Sequence, residues 1–371
     1  MAPFDLATLR TAYEGRRVLL TGHTGFKGGW LAVLLHDLGA RTVGFALPPD
    51  TSPALFDDVR VGELCRSVEG DVRDLAALRR VVREAEPDVV FHLAAQPLVR
   101  ASYERPIETF ETNVMGTANV LEALRLEGRR CAVVVVTTDK CYENREWPFG
   151  YRETDPVGGH DPYSASKAAA ELVVDSYRRS FFPPDRLATH GVALASARAG
   201  NVIGGGDWAK DRIVPDAVRA LAAGESILVR NPRAVRPWQH VLEPLGGYLL
   251  LGARLASERA AETAEAWNFG PRPEGTVRVG ELVGAVVEAW GSGAWHTVPQ
   301  TSAPHEANVL RLAIEKAFAR LGWSPRWSVR EAVRHTIDWY ALRHRGADAA
   351  TLRREMVAQW RAYAGGVEQP G

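Results

Sequence analysis

Arg17-Val18-Leu19-Leu20-Thr21-Gly22-His23-Thr24-Gly25-Phe26-Lys27-Gly28-Gly29 is the stretch that decides the fold. Its apolar start, RVLL, reads as a short strand. A glycine-rich turn follows, and then a helical pattern, WLAVLLHDLGA, with a stop at Gly39. RTVGFAL comes directly after as a second strand, which makes a βαβ unit at the N-terminus. Gly22, Gly25 and Gly28 are spaced G-x-x-G-x-x-G between strand and helix. A pyrophosphate needs such a place: a tight turn, close backbone approach, and N–H groups at a helix N-terminus. A plain loop with positive φ is the alternative, and the position behind the first strand favours the phosphate cradle.

The alternation continues along the chain. Gly70-Asp71-Val72-Arg73-Asp74 precedes a helical LAALRRVVREA, and 88–95 reads as a buried strand. A long helix is expected from about Pro106 to Gly128 around Asn113, and CAVVVVTT is another buried strand. A helix opens near Pro162, and VALASARA is a further strand ending near Ala199. Apolar strands alternating with helices imply a parallel sheet covered on both faces, so the fold class is α/β, a doubly wound parallel sheet of Rossmann-like type. From about Gly200 glycine, proline, tryptophan and arginine become frequent. We expect residues 15–200 to bind the dinucleotide and carry the catalytic groups. Residues 201–345 are then a smaller substrate lobe interleaved with that domain, and 346–371 a C-terminal helix and frayed tail.

Composition narrows the function. The 371 residues carry 45 basic and 45 acidic side chains, so the basic excess of a nucleic-acid binder is missing. No apolar run reaches the ~20 residues of a membrane span. The opening MAPFDLATLR lacks the pattern of a secretory signal. Cys65, Cys131 and Cys141 are odd in number and far apart, which argues against a disulfide scaffold or zinc cluster and for a reducing cytoplasm. Only five of the basic residues are lysines: Lys27, Lys140, Lys167, Lys210 and Lys316. Where Arg is the default cation, a retained Lys points to a need for a compact ammonium with a tunable pKa.

Two segments carry candidate chemistry. In Asp161-Pro162-Tyr163-Ser164-Ala165-Ser166-Lys167, Asp161 suits an N-cap and Pro162 the first helical turn. Tyr163 and Lys167, four apart, share one helix face. A cation beside a phenol favours phenolate and makes the tyrosine a usable acid/base near neutral pH. Thr137-Thr138-Asp139-Lys140 ends the strand Ala132 to Val136, where doubly wound sheets bind ligands. A hydroxyl, a carboxylate and an ammonium in succession form a proton-handling cluster there. The other reading is a capped turn with a surface lysine. Asp71-Val72 serves either as a clamp on an adenine or as a helix cap shared with Asp74. The acid expected at the end of the second strand is missing. Asp50 lies a little beyond it and Arg41 is nearby, so that position leaves NAD and NADP both open.

Taken together, the glycine turn, the threonine at a strand end and Tyr-x-x-x-Lys resemble the extended short-chain dehydrogenase/reductase superfamily. TGHTGFKGGWL, FHLAAQPLVRASY, TNVMGTANVLEA, TTDKCYENREW, PYSASKAAAEL, AGNVIGGGDWAKDRIVPD and RPWQHVLEPLGGYLLL resemble the nucleotide-sugar 4,6-dehydratases, within them the group acting on CDP-glucose. The resemblance runs from about Gly15 to Tyr340. It implies NAD held by Gly22, Thr24, Gly25, Phe26 and Gly28. It implies adenine met by Asp71 and Val72, and a cofactor cleft lined by Leu93, Ala94, Ala95 and Thr137. Tyr163 is the implied base, Lys167 holds the nicotinamide ribose, and Thr138 bonds the sugar O4. Asn201, Arg212 and Arg236 would hold the sugar nucleotide, Arg236 at its pyrophosphate. The dTDP-glucose enzymes carry Thr-Asp-Glu at the strand end, with the Glu as C5 base. Lys140 stands there here, as in the CDP-glucose group, which makes Lys140 the implied C5 base and Asp139 the acid for the C6 hydroxyl. No metal is implied, and a homodimer through the helices around Asn113 and Tyr163 is expected. The rival readings are another nucleotide-sugar dehydratase, a 4-epimerase, a simple dehydrogenase and a silent NAD-binding scaffold.

Overall fold

The apolar runs alternate between two cores. In the first strand, β1 (Arg17–Thr21), Val18 and Leu20 face one core and Leu19 the other. In β5 (Cys131–Val136) Ala132, Val134 and Val136 face the first core while Val133 and Val135 face the second. This period-2 division is what a sheet covered on both faces requires, and each fully buried Leu or Val contributes about 1.5–3 kcal/mol. With β2 (Arg41–Ala46), β3 (Arg66–Glu69), β4 (Val89–His92), β6 (Val192–Ala199) and β7 (Ala266–Phe269), these strands form one seven-stranded parallel sheet. Its order is β7-β6-β5-β4-β1-β2-β3. The direction of winding reverses between β1 and β4, and the ligand crevice of such sheets lies beyond the strand ends at that point. The computed structural model describes residues 4–272, 275–297 and 310–365.

One core is closed by helix α1 (Phe26–Asp37), buried from Gly28 to Leu35. A helix apolar on all sides must be covered on all sides. The sheet covers one side of α1 and the C-terminal helix Ala349–Gly365 packs on another. Helix α2 (Leu75–Ala85), helix α3 (Gly116–Leu126) and helix α4 (Pro162–Ser180) close the second core. The expected long helix from Pro106 is one path in three parts: helix Pro106–Phe110, a π turn Glu111–Met115, then α3. Two strands carry no apolar signal long enough to read in advance. β3 is the exposed edge RSVE, and β7 is the four-residue AWNF deep in the second half of the chain.

Among the described residues beyond 200 there are three small two-stranded pieces: Val202–Ile203 with Gln239–His240, Val235–Pro237 with Thr276–Arg278, and Ile227–Val229 with Trp295–Thr297. Between them helix Leu242–Leu255 returns beneath β5 and β6. The tail from 366 lies outside the described residues.

Candidate active site

The glycine turn is shaped by close approach. Gly22 has φ +77°, and a Cβ there would lie 2.7 Å from the Ala94 nitrogen. A Cβ on Gly28 would lie 2.0 Å from the Gly22 carbonyl oxygen. Only glycine fits both places, so the turn presses against the start of the loop after β4. Thr21 Oγ1 ties the two together by accepting from the Leu93 and Ala94 amides, both at 3.2 Å. Gly25 is the N-cap of α1 and offers no side-chain cap, so the amides of the first turn face the crevice. This donor set and these cradles fit a dinucleotide pyrophosphate. Thr24 donates its hydroxyl to the Leu47 carbonyl at 2.9 Å, and Phe26 stands beside Gly204.

Asp74, not Asp71, caps α2, accepting from the Ala77 amide at 3.0 Å. Asp71 closes its own turn on Arg73, at 2.8 Å to the backbone amide and 2.6 Å to the guanidinium, and that contact holds its carboxyl below the ordinary range. Val72 is buried against Gly116. Asp50, beyond β2, is among the charges that act on Arg212.

The start of α4 is assembled as its sequence reads. Asp161 accepts from the Ser164 amide at 2.9 Å and Pro162 stands in the first turn. The Tyr163 amide donates to Ser102 Oγ at 3.1 Å. Tyr163 is buried, and burial pushes its phenol up to about 12, against a hydrogen bond with Thr138 that favours phenolate. Lys167 Nζ lies 3.4 Å from the Val136 carbonyl. Burial pulls its ammonium down to about 8, with Glu171 acting in the opposite sense.

At the end of β5, Thr138 caps a short turn over Asp139–Cys141 and donates its hydroxyl to Asp139 Oδ1 at 2.9 Å. Asp139 is buried, its Oδ2 2.8 Å from where a Cβ on Gly200 would stand. Burial raises its carboxyl pKa, with Lys140, Thr138 and Lys27 acting against that rise. Lys140 is half-buried beside it. Arg212 pairs with the buried Asp207 at 2.8 Å, which fixes its charge, and it also feels Tyr163. Asn201 follows Gly200 and accepts from the Gln239 amide at 3.2 Å through its backbone. Arg236 lies half-buried on the strand Val235–Pro237. Tyr163 thus feels the charges of Asp139 and Arg212, Asp139 those of Lys140 and Lys27, and Lys27 those of Arg212 and Lys167. Thr137 is placed differently: its hydroxyl donates to Glu171.

Three features were not read from the sequence. Asn113, in the π turn, accepts from the Gln96 amide at 2.8 Å and donates to Ser166 Oγ at 2.8 Å, joining the β4 loop to α4. A π turn is often a functional mark, but its sequence, ETNVM, is ordinary helix. On the far side of the Tyr163 site, Glu171 of α4 and Arg198 of β6 form a buried ion pair at 2.8 Å. The third is Lys27, whose charge acts together with those of Asp139, Lys167, Asp207 and Arg212. Its rarity as a lysine was the available signal.

Known proteins match this arrangement. A family model described as GDP-mannose 4,6 dehydratase matches residues 19–336. The chain is 49% identical over 348 residues to the CDP-glucose 4,6-dehydratase of Salmonella typhimurium, covering 94% of this chain and 97% of that protein. It is 32% identical over 279 residues to a dTDP-glucose 4,6-dehydratase of Streptomyces antibioticus, covering 74% and 75%. Among solved structures, the dTDP-glucose 4,6-dehydratase DesIV of Streptomyces venezuelae with NAD bound superposes with a TM-score of 0.72 at 26% identity, over 88% of this chain and 97% of that one.

Proposed function

Because the chain belongs to the GDP-mannose 4,6 dehydratase family, we propose that it converts CDP-D-glucose to CDP-4-dehydro-6-deoxy-D-glucose and water. The observation that carries this reading is the pairing of two functions in one crevice. Tyr163 and Lys167 can manage oxidation at C4, and Asp139 and Lys140 stand beside them to manage elimination. An epimerase or simple dehydrogenase needs only the first pair.

NAD is the cofactor, held at the Gly22, Gly25 and Gly28 turn, with Leu93, Ala94 and Ala95 along its cleft. When bound it would supply reversible hydride chemistry beside the sugar. Tyr163 removes the O4 proton, and Thr138 orients that oxygen. The Thr138 hydrogen bond and the Arg212 charge favour phenolate at Tyr163, and Lys167 holds the nicotinamide ribose. The 4-ketone acidifies the C5 proton, which passes to Lys140. Burial raises the Asp139 pKa and so favours its protonated form, and Asp139 gives its proton to the departing C6 hydroxyl. Asn201, Arg212 and Arg236 hold the sugar nucleotide, from a substrate lobe over 201–345.

The same reading extends to assembly. Ile107, Met115 and Leu172 are 70%, 54% and 60% exposed on the path from Pro106 and on α4. Large apolar side chains in solvent on two adjacent helices suit a homodimer interface. All three cysteines are free thiols, which suits a reducing cytoplasm, and among the described residues no helix is long and apolar enough to cross a membrane.

The test is incubation with CDP-glucose without added reductant, followed by mass spectrometry of the nucleotide product. Loss of one water is expected. Water loss only from another sugar nucleotide would keep the reaction and change the substrate. An isomer of unchanged mass would replace the dehydratase reading with an epimerase.

A further inference from the structure

The loop over 204–212 ends at Arg212 and is fastened along its length. Gly204 lies against Phe26, and the Gly205 carbonyl accepts the Trp30 indole N–H at 2.9 Å, so the loop rests on α1, the helix that begins at the glycine turn. Trp208 donates its indole N–H to Asp58 at 2.9 Å. Asp211 pairs at 2.8 Å with Arg100, on the helix Val99–Glu104, whose Ser102 accepts from the Tyr163 amide at 3.1 Å. Asp207, 3% exposed, lies inside this loop. Its Oδ2 accepts from Arg212 Nη1 at 2.8 Å and its Oδ1 from the Ala209 amide at 3.2 Å, while its backbone carbonyl accepts the Tyr340 hydroxyl. Both oxygens of the carboxylate are therefore committed within the protein. The guanidinium is committed only in part. Among the described residues Arg212 Nε and Nη2 have no hydrogen-bond partner, and the side chain is 32% exposed. Arg212 also stands at the N-terminus of helix Ile213–Ala222, which has no side-chain cap. An open guanidinium edge at a helix N-terminus is the chemistry of a phosphate site.

We propose that Asp207 is a positioning residue for nucleotide binding: it locks Arg212 through Nη1 and so presents the Nε–Nη2 edge, already aligned, to the diphosphate of the sugar nucleotide. The proposal rests on the reading of the substrate as a sugar nucleotide held by Arg212. An arginine side chain is rich in rotamers, and a loose one must be ordered when its ligand arrives. Here the ion pair orders it beforehand, on a loop that is itself fixed to α1. Asp207 also offsets part of the guanidinium charge, which weakens the pull on a phosphate. Orientation outweighs that offset. Arg212 keeps contact with solvent, which screens charge, whereas two parallel N–H···O bonds are lost as soon as the fork swings out of plane.

The experiment measures binding of CDP and of cytidine by calorimetry to the NAD-loaded enzyme, in wild type, Asp207→Asn, Arg212→Gln and the double variant. Asp207→Asn should weaken CDP roughly 10-fold and leave cytidine, which has no phosphate, unchanged. Arg212→Gln should weaken CDP by about 10–100-fold, and the double variant no further, because Asp207 acts only through Arg212. In turnover, KM for CDP-glucose should rise in Asp207→Asn with kcat little changed. Tyr340→Phe leaves the buried charges intact and removes only the hydroxyl on the Asp207 carbonyl. It should show the same phosphate-selective loss at about 2–5-fold, which decides the proposal even where Asp207→Asn does not fold. Unchanged or tighter CDP binding in Asp207→Asn would overturn the proposal. So would equal losses for CDP and cytidine, the mark of a damaged fold, or additive losses in the double variant. Wild type that binds UDP, GDP or dTDP in place of CDP would overturn the choice of nucleotide alone, and the same cycle on that diphosphate would then decide the role of Asp207. Wild type that binds none of the four would overturn the sugar-nucleotide reading, and the role of Asp207 with it.

Discussion

Two clusters of buried charge lie one turn apart on α4. Around Lys167 the groups face a crevice, and several of them are pushed off their ordinary pKa: Lys27 and Lys167 to about 8, Tyr163 to about 12, Asp139 upward. Around Glu171, four residues on, nearly every group has a partner. Glu171 takes Arg198 at 2.8 Å, Ser196 at 2.7 Å and the Thr137 hydroxyl. Arg198 donates to Tyr142, whose hydroxyl reaches Asn268 at 2.8 Å. Burial opposes the Glu171 charge, yet Arg198 and the two hydroxyls hold its pKa below the ordinary value. A saturated network fixes geometry, whereas one with spare donors and acceptors has capacity left for substrate. The scaffold cluster thus pins β5, β6 and α4 to one another, and the cluster around Lys167 stands on what it pins.

That division can be broken at either end. The largest effect is expected for Tyr163→Phe, which should lower kcat roughly 10²–10⁴-fold with melting temperature little changed. Retained turnover would move the base elsewhere. Arg198→Ala should do the reverse, leaving the Glu171 carboxylate buried without its partner. Denaturant unfolding should record a loss of about 3–5 kcal/mol, and a loss under 1 kcal/mol would contradict the scaffold role.

Glu243 sharpens the contrast as a third buried acid. Burial pushes it up to about 7, outweighing the Trp327 and Arg326 amides and the Tyr363 hydroxyl at 2.7 Å, whose hydrogen bonds act in the opposite sense. A folded pKa above the unfolded value near 4.5 means the folded state holds this proton more tightly. Its stabilisation is complete below pH 4.5 and is lost as pH rises through 7, amounting to about 3 kcal/mol. Unfolding free energies at pH 5 and pH 8 should differ more in wild type than in Glu243→Gln, and equal slopes would remove Glu243 as the cause. The smallest effect belongs to Thr137→Val, a cost of about 1 kcal/mol from one lost hydrogen bond to Glu171. NAD affinity measured alongside should hold. A clear fall would show the Thr137 hydroxyl acting on the cofactor as well as on Glu171.

Local spacing carried the reading of β1, the glycine turn, α1 and the start of α4, because strand period, turn glycines and helix caps are properties of neighbouring residues. Asp161 and Pro162 cap α4 as read. Asp71 and Asp74 show where that logic ends, since both suit a cap and only the path of the chain selects Asp74. β3 and β7 were not legible for the same kind of reason. RSVE is an exposed edge strand with no apolar run, and AWNF is a strand only because β6 offers it a ladder.

The sequence by itself determined the parallel α/β fold, the phosphate turn and the Tyr163–Lys167 pair, all set within a few residues of chain. Only the tertiary structure decided which charges meet. Glu171 finds Arg198 across 27 residues, Asn113 finds Ser166 across 53, and Lys27 shares the field of Asp139 and Arg212. Burial and charge pairing depend on distance in space, so the shifted pKa values of these side chains exist only once the sheet has folded.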